Sequence, residues 1–401
     1  MSHQKKIMLL GGIHYLLPVI KAAHEQGYYV ITADYLPNNI AHQYSDEYCN
    51  VNIIDKNAVL QAAKALNIDG IISFGVDPGV VSAAYVQEQM GLPQMGPYES
   101  VRILQNKDLF RAFLKEHGFN VPNARSYTSR DIALSDTDWF TYPMIVKPTD
   151  SAGSKGVTRI DKLAEYADAV DNAFKKSISG TIIVEEFIDK VGCSSDTDSF
   201  LLDGELKFVS FNAQRFDESA ANPYTPAAFS WPSTFAEHEE FLRKELQRLL
   251  SLLNMKTSVF NIETRVASNG KSYIMECTPR GGGNRLCEML HYATGVDLIT
   301  AQVRAAVGDY VEGVEQKPYN GHWAEIILHA DRDGIFSDLQ IALDIPAKVV
   351  ERDLWVKQGE NVNAFHGAND AIGTLVLQFT NEQDLENVLK LQSKWIKVNV
   401  E

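Results

Sequence analysis

Apolar and polar positions alternate over the first quarter of the chain with two different periods. The pattern predicts strands at Lys6–Leu10, Tyr29–Ala33 and Gly70–Ser73, and helices at Leu17–Gln26 and Ala58–Leu66. Strands that alternate with helices form a parallel sheet with crossover helices. Two prolines and a glycine interrupt the pattern at 93–97. We therefore predict an α/β domain at residues 1–97.

The pattern changes after this boundary. Helical periodicity covers 99–117, strands dominate 140–210, and a leucine-rich helix at Glu239–Leu253 precedes a pair of strands. Residues 320–401 form a last α+β pattern, with strands near 323–329 and 373–379 and a helix at 382–393. A chain of 401 residues is too long for one ordinary core. The expected fold class is therefore α/β and α+β, divided among several domains.

Composition excludes several classes of protein. The net charge is −15 and no long basic cluster occurs, so we expect no nucleic-acid partner. No apolar run approaches the roughly 20 residues of a membrane span, and the N-terminus lacks a signal-peptide layout. The four cysteines show no CxxC spacing, which argues against zinc and disulfides. These features predict a cytoplasmic enzyme without a membrane partner.

The best candidate for chemistry is a predicted hairpin. Asn269-Gly270 lies between two β-type runs, a pattern typical of a two-residue type I′ turn. That turn places Glu263 opposite Glu276 and puts Asn261 and Thr278 on the same face. Two facing carboxylates repel each other unless a cation lies between them, and their hard oxygens suit Mg²⁺. Two solvent-exposed glutamates on an edge hairpin are the alternative.

Three further segments carry weaker signals. The strand before Lys147 leads into a loop of small residues, Ser151–Gly156, that can turn backbone N–H groups toward an anion. A surface hairpin explains that loop equally well. Glu185 and Glu186 lie side by side in a β-type run. Lys107 follows a predicted N-cap, Asn106, so its charge opposes the helix dipole unless an anion is near.

Taken in this order, these motifs resemble those of the ATP-grasp superfamily. The resemblance implies a Rossmann-like preATP-grasp domain at 1–97, an ATP-grasp domain at 98–310 with a lid at about 122–188, and a small C-terminal α+β domain at 311–401. It implies ATP and Mg²⁺ as cofactors, with Mn²⁺ as a substitute. The ATP-binding residues that it implies are Lys107, Lys147, Ser151, Gly153, Ser154, Lys155, Gly156, Glu185, Glu186 and Ile188. The implied metal ligands are Glu263, Glu276 and Thr278.

Two departures from the family pattern concern the nucleotide site. The family's second metal strand usually reads Glu-x-Asn, whereas this chain has Glu276-Cys277-Thr278. A hydroxyl replaces the amide oxygen there, which weakens the expected hold on a second Mg²⁺. The family also often has a glutamate for the ribose near Ser194 or Ser195, and this chain has none at those positions.

The segment after Glu276 indicates the substrate. Arg280 can grip a carboxylate or acyl phosphate at two points, and Gly281, Gly282 and Gly283 allow close approach. This stretch resembles that of L-amino-acid ligases, although a plain turn is the alternative. The resemblance implies a carboxylate–amine ligase that forms an acyl phosphate, with Arg280 and Lys147 as catalytic residues and small molecules as partners. A homodimer is one possible assembly.

Three other functions remain open at this stage. A bicarbonate-activating carboxylase or carbamoyl-phosphate-type enzyme is one, and a nucleotide-binding protein without turnover is another. A nicotinamide-dependent oxidoreductase is disfavoured, because Gly11-Gly12 lacks the GxGxxG spacing. In the N-terminal unit, His14 and Asp77 are candidates for substrate contact.

Overall fold

The computed structural model describes residues 3–150 and 155–401. The first part of the chain forms a parallel sheet in the order β3-β2-β1-β4, which confirms the predicted α/β pattern. Its elements are β1 (Lys6–Leu10), α1 (Leu17–Glu25), β2 (Tyr29–Asp34), β3 (Glu47–Asn50), α2 (Lys56–Leu66), β4 (Gly70–Ser73) and α3 (Val80–Met90). No helix in the described ranges is long and apolar enough to cross a membrane.

Two helices lead into an antiparallel sheet in the order β5-β8-β6-β7. The elements are α4 (Tyr98–Gln105), α5 (Lys107–Glu116), β5 (Ala124–Tyr127), α6 (Arg130–Ser135), β6 (Met144–Pro148), β7 (Thr158–Ile160), α7 (Tyr166–Lys176) and β8 (Ile182–Glu186). Helix α7 buries Tyr166, Ala169, Val170 and Ala173, the spacing of one helical face. They belong to a hydrophobic core confined to this sheet and its helices.

A second antiparallel sheet follows, in the order β10-β9-β13-β14. The elements in this stretch are β9 (Ser195–Leu202), β10 (Glu205–Phe208), β11 (Ala213–Phe216), β12 (Pro226–Trp231), α8 (Ala236–Leu252), β13 (Ser258–Val266), β14 (Ser272–Thr278), α9 (Leu286–Thr294) and α10 (Leu298–Ala306). Asp203 and Gly204 both have positive φ between β9 and β10. Positive φ at both residues is typical of a two-residue type I′ hairpin turn.

The hairpin of β13 and β14 differs from its prediction. Its loop has three residues, Ser268 to Gly270, because Ala267 N–H donates to Lys271 O and Gly270 N–H to Ala267 O. Only Gly270 is left-handed, so the type I′ turn was wrong. A bulge next to Glu263 shifts the register back by one residue. Glu263 therefore still pairs with Glu276, as predicted.

The last part of the chain builds one sheet in the order β11-β12-β15-β19-β17 and another in the order β18-β16-β20. Its elements are β15 (His322–Leu328), β16 (Gly334–Ile341), β17 (Lys348–Leu354), β18 (Asn361–Val362), β19 (Gly373–Phe379), α11 (Glu382–Lys390), α12 (Gln392–Trp395) and β20 (Ile396–Val400). The predicted strands β15 and β19 and helix α11 are confirmed. The first of these sheets contains β11 and β12, which precede the domain boundary predicted at 310/311, as well as β15, β17 and β19, which follow it. This boundary therefore does not separate two sheets.

Two hydrophobic cores are shared between the N-terminal part of the chain and the later sheets and helices. One core joins β1 and α1 to α9, α10, β12 and β15. Another joins β4, α3 and α5 to β13, β14 and α8. The N-terminal sheet, the β13–β14 hairpin and the C-terminal sheet thus surround the segment that follows Glu276.

Candidate active site

Lys107 begins α5 and points to the β13–β14 hairpin. Its Nζ lies 3.3 Å from Glu276 Oε1, which relieves the conflict with the helix dipole. Burial alone would lower the pKa of Lys107, but the carboxylates of Glu276 and Asp77 raise it, and the pKa ends above its usual value. Asn106 occupies the N-cap position without capping, because its amide donates to Arg102 O instead.

Lys147 on β6 forms an ion pair with Glu185 on β8. Arg111 Nε donates to the other oxygen of Glu185 at 3.0 Å, and its NH1 donates to Met275 O at 2.8 Å. Burial raises the pKa of Glu185, but the two cations outweigh burial and bring it to about 2. Burial lowers the pKa of Lys147 despite this pairing. A buried carboxylate thus holds two cations in place.

The three implied ATP-binding residues at the end of β8 and just after it, Glu185, Glu186 and Ile188, have different surroundings. The carboxylate of Glu185 is turned to Lys147 and Arg111, so only its backbone remains a candidate for the base. Glu186 is exposed, and Ile188 is buried with Ala267, Tyr273 and Met275. Contact of these three positions with a nucleotide stays a prediction.

Part of the predicted phosphate loop lies outside the described residues, namely Ser151, Gly153 and Ser154. Lys155 is exposed, and Gly156 has φ +76°. A side chain at Gly156 would approach Pro148 and Lys176 to about 3 Å. Glycine is therefore needed where the chain returns beside β6.

Three acidic residues lie in one row across neighbouring strands. Asp196 on β9 pairs with Glu263 on β13, and Glu263 pairs with Glu276 on β14. Residues directly opposite each other share a face, so the row lies on one face of the sheet. Glu263 is additionally 3.2 Å from Arg265. Asn261 donates to Asp196 at 2.9 Å and to Asp198 at 3.2 Å.

Asp196 and Asp198 have pKa values shifted upward. Burial, followed by the charge of Glu263, raises the pKa of Asp196 to about 7. Burial raises the pKa of Asp198 to about 6, although Cys287, Arg280 and the Gly282 N–H stabilise its charged form. Burial and the neighbouring carboxylate of Glu263 thus disfavour the ionised form of Asp196, and a cation beside the row would relieve this.

The donor set fits Mg²⁺ bound together with phosphate. Among the residues that the structure describes, no three acidic, histidine or cysteine side chains converge on one point. Glu263 and Glu276 alone would therefore supply few of the oxygens that Mg²⁺ requires, and the phosphates of a nucleotide would supply others. Thr278 is buried opposite Asn261 and adds one hydroxyl at most.

The substitution Asp196→Asn should stabilise the protein at high pH when a chelator is present. A carboxyl whose pKa is about 7 in the folded state, against about 4 when unfolded, destabilises the fold increasingly as pH rises between these values. The melting temperature of the variant should exceed that of the wild type by a few degrees at pH 8 and match it near pH 4.

Asp171→Asn is the control, because its effect on the melting temperature should have the opposite sign to that of Asp196→Asn. The ion pair with Arg130 lowers the pKa of Asp171, so that carboxylate stabilises the fold above the unfolded pKa and loses this effect as pH falls. An Asp196→Asn melting profile parallel to that of the wild type across pH 4–8 would contradict unrelieved repulsion in the row.

Arg280 is held by a residue of the N-terminal unit. Its Nε donates to Asp77 Oδ1 at 2.8 Å, its NH2 lies 2.7 Å from the same oxygen, and its NH1 donates to Gly281 O. Burial would lower the pKa of Arg280, but the carboxylates of Asp77, Asp198 and Asp196 raise it. Asp77, a candidate for substrate contact, thus fixes the guanidinium.

The glycine segment is packed against both neighbours. Gly281 O accepts from Gly75 N–H, and a side chain at Gly281 would overlap the ring of Phe74. Gly282 N–H donates to both oxygens of Asp198, at 2.9 and 3.1 Å. Gly283 faces Tyr15. Close packing therefore requires these glycines, and the interpretation as a plain surface turn does not account for it.

Three charged residues of this site, Arg111, Asp196 and Asp198, were not predicted from the sequence. Arg111 lies one helical turn after Lys107, so a second cation on the same face of α5 was a usable signal. Asp196 and Asp198 alternate within the apolar strand β9, which also indicates charges on one face. His14 lies apart from the acidic row and stacks on Trp355 with ring centroids 4.9 Å apart.

Parts of this chain are similar to known proteins. Residues 140–288 match the model of a family described as "ATP-grasp domain". The carbamoyl phosphate synthase large chain of Thermoanaerobacter pseudethanolicus is 24% identical over 320 residues, which are 74% of this chain and 28% of that protein. The arginine-specific large chain of Bacillus subtilis is 20% identical over 306 residues, or 76% and 29%. The chain thus spans less than a third of the length of these relatives.

Solved structures resemble the entire chain. The L-amino acid ligase from Bacillus licheniformis has a TM-score of 0.82 at 17% identity, and phosphoribosylglycinamide synthetase from Anaerococcus prevotii has 0.76 at 21%, each with 100% of both chains covered. The biotin carboxylase domain of Hydrogenobacter thermophilus 2-oxoglutarate carboxylase, in complex with MgADP, has 0.73 at 15%, covering 99% of this chain and 92% of that one. The predicted fold class is confirmed: residues 140–288 match the model of an ATP-grasp domain, and the fold of the whole chain resembles that of the solved amino acid ligase, synthetase and carboxylase structures.

Proposed function

We propose that the chain is an ATP-dependent carboxylate–amine ligase acting on an amino acid or a similar small carboxylate. The observation that carries this proposal is the position of Arg280. Its guanidinium is fixed by Asp77 and follows Glu276, the partner of Lys107, by four residues. The guanidinium of Arg280, which can bind the carboxylate of a substrate, therefore lies next to the proposed phosphate site.

The nucleotide would be held by cations that are already in place. Lys107 and Lys147 bind phosphate oxygens, and the carboxylates that now pair with them, Glu276 and Glu185, keep both within the site. Glu263 and Glu276 would hold Mg²⁺, with Mn²⁺ as a substitute. When bound, the ion supplies positive charge to the phosphates. Charge neutralisation and positioning provide most of the rate in such transfers.

The proposed reaction has two steps. A carboxylate oxygen attacks the γ-phosphorus, the bond to ADP breaks, and an acyl phosphate forms beside Arg280. An amine nitrogen then attacks the acyl carbon, the C–O bond to phosphate breaks, and the nitrogen loses a proton. Arg280 stabilises the negative oxygen in both steps. Gly282 N–H is committed to Asp198, which leaves Gly281 and Gly283 as the proposed backbone donors.

A bicarbonate-activating enzyme is the second candidate. The carbamoyl phosphate synthase large chains among the sequence relatives favour it. The full-length likeness to the amino acid ligase favours the larger carboxylate. Assembly as a homodimer and location in the cytoplasm stay predictions, as does a nucleotide-binding role without turnover.

Phosphate release from ATP, measured over a matrix of amino acids, hydroxy acids and bicarbonate, tests the proposal. Each carboxylate is assayed alone, with amino acids and amino-acid amides as amines, and with hydroxylamine, which traps acyl phosphates as hydroxamates. We expect a hydroxamate with at least one small carboxylate. Release with bicarbonate alone would support the second candidate, and no release with any combination would refute both.

A further inference from the structure

An acidic cluster outside the proposed phosphate site surrounds Arg285. Its NH2 lies 3.0 Å from Glu288 and 2.8 Å from Glu351, and its NH1 donates to Thr374 at 3.0 Å. Tyr292 OH donates to the same oxygen of Glu351 at 2.8 Å. The helix α9 and the strands β17 and β19 thus meet at one guanidinium.

Glu325 on β15 adds a carboxyl that this cluster does not satisfy. Glu325 is 0% exposed, and neither of its carboxyl oxygens has a hydrogen-bond partner among residues 3–150 and 155–401. The side chain faces the same core as Trp323 and Ile327, toward α9. A buried carboxyl without a hydrogen-bond partner is unfavourable in the protein interior, and a bound polar group beside Glu325 would relieve this.

The cluster adjoins the glycine segment through a small pocket. Tyr15, Phe74, Gly282, Arg285 and Glu288 are among the residues that line it. Tyr15 OH donates to Asn284 at 2.9 Å, and Gly283 faces the Tyr15 ring. Glu325 does not itself line the pocket; it lies behind the lining, on β15, which packs against the helix α9 that carries Glu288.

The backbone beside the pocket is strained. Asn284 and Arg285 have φ of +51° and +55°, a left-handed conformation that is unfavourable for residues with a side chain. This turn directs Arg285 to the sheet immediately after the glycines. It places one guanidinium among the carboxyl groups of Glu288, Glu325 and Glu351, next to the segment proposed to hold the acyl phosphate.

We propose that this pocket binds the ammonium group of the amine substrate, with Glu288 at its wall and Glu325 behind it. The proposal rests on the ligase function proposed above. A divalent metal is a poorer fit, because Glu288 and Glu351 are already paired with Arg285, whose positive charge repels a dication more strongly than a monocation. An ammonium group needs only hydrogen-bond acceptors and partial charge neutralisation. Its nitrogen would then lie beside the acyl phosphate, and the ammonium group would pass one proton to Glu288 at the pocket wall before the neutral amine attacks the acyl carbon.

The electrostatics of Glu325 support this assignment. Burial raises its pKa well above the usual value, the charges of Glu288 and Glu351 raise it further, and Arg285 opposes the shift only in part. Without a cation the carboxyl therefore holds a proton. An entering ammonium group lets it ionise, which gives the pocket a preference for cations over neutral molecules.

The test is Glu325→Gln in the full chain, with the carboxylate and amine that release most phosphate in the wild type. We expect the KM for that amine to rise at least 10-fold, while the KM for ATP and the carboxylate change less than 3-fold. Hydroxamate formation should stay near the wild-type rate, because hydroxylamine is uncharged at neutral pH. Glu386→Gln, which removes an ion pair with Arg215 on the same sheet, is the control and should leave all values unchanged.

A second variant keeps the result interpretable. Glu288→Gln acts at the pocket wall and should also raise the KM for the amine selectively, even where Glu325→Gln folds poorly. An unchanged KM for the amine in both variants would refute the ammonium pocket, as would a selective rise in the KM for the carboxylate. If the variants give either of these results while the wild type forms hydroxamate normally, the ammonium pocket is refuted and the ligase function stands. A wild type that forms no hydroxamate instead refutes the ligase function.

Discussion

Glu276→Gln should reduce ATP-dependent phosphate release by at least ~1,000-fold, the effect of losing several kcal/mol of transition-state charge stabilisation. The carboxylate pairs with Lys107 at 3.3 Å and stands opposite Glu263. It is proposed to hold both that cation and Mg²⁺. Steady-state phosphate release at saturating ATP and Mg²⁺ measures the loss. Titration with a fluorescent ATP analogue should show weaker Mg²⁺-dependent binding.

The fold should survive this substitution. Lys107 is the main cause of the lowered pKa of Glu276, so the carboxylate stabilises the fold above its unfolded pKa. The variant should melt slightly lower than the wild type at neutral pH, and the difference should shrink as pH falls below about 4 and vanish below the lowered pKa of Glu276 in the folded state. Glu240→Gln, in an exposed ion pair with Lys244, controls for the charge change alone. Near-normal turnover of Glu276→Gln would exclude the metal role.

Arg280→Lys should keep ATP affinity within a few-fold and cut amine-dependent phosphate release by at least ~100-fold, the scale of a charge-assisted contact worth ~3 kcal/mol. Arg280 directs its Nε and NH2 to Asp77 and its NH1 to Gly281 O. Lysine has one nitrogen and cannot hold Asp77 while it also binds a carboxylate in two-point fashion. Calorimetric ATP binding and phosphate release measure the two effects separately.

The two alternative outcomes carry different meanings. A collapse of ATP affinity would assign Arg280 to the nucleotide, and an unchanged rate would remove the main support for the amino acid ligase. Arg215→Lys is a matched control, because Arg215 is also partly buried and bound to a carboxylate, that of Glu386. Its activity should stay near that of the wild type.

The β13–β14 hairpin shows how far the sequence predicts this site. The facing pair Glu263 and Glu276 was predicted from Asn269-Gly270 as a two-residue turn. The loop has three residues, and the bulge next to Glu263 compensates for the difference. Local periodicity identified both strands and the shared face. Turn length and bulge depend on packing against β9 and α8, which no local pattern encodes.

Contacts between residues that lie far apart in the sequence could not be predicted from it. Asp77 and Arg280 are 203 residues apart, and Arg111 and Met275 are 164 apart. Each residue type could be noted in the chain, but its partner follows only from the way the sheets assemble. The same holds for Glu325, which resembles an ordinary strand residue until its burial is known.

The double attachment of Arg111 constrains how the β5–β8–β6–β7 sheet can move. One guanidinium reaches Glu185 on β8 and the carbonyl of Met275 on β14. Separating these strands would leave a buried carboxylate with Lys147 as its remaining cation. A movement that separates the two sheets would therefore break at least one of the two contacts of Arg111, and the intact pair of contacts holds Lys147 and Glu185 next to the hairpin.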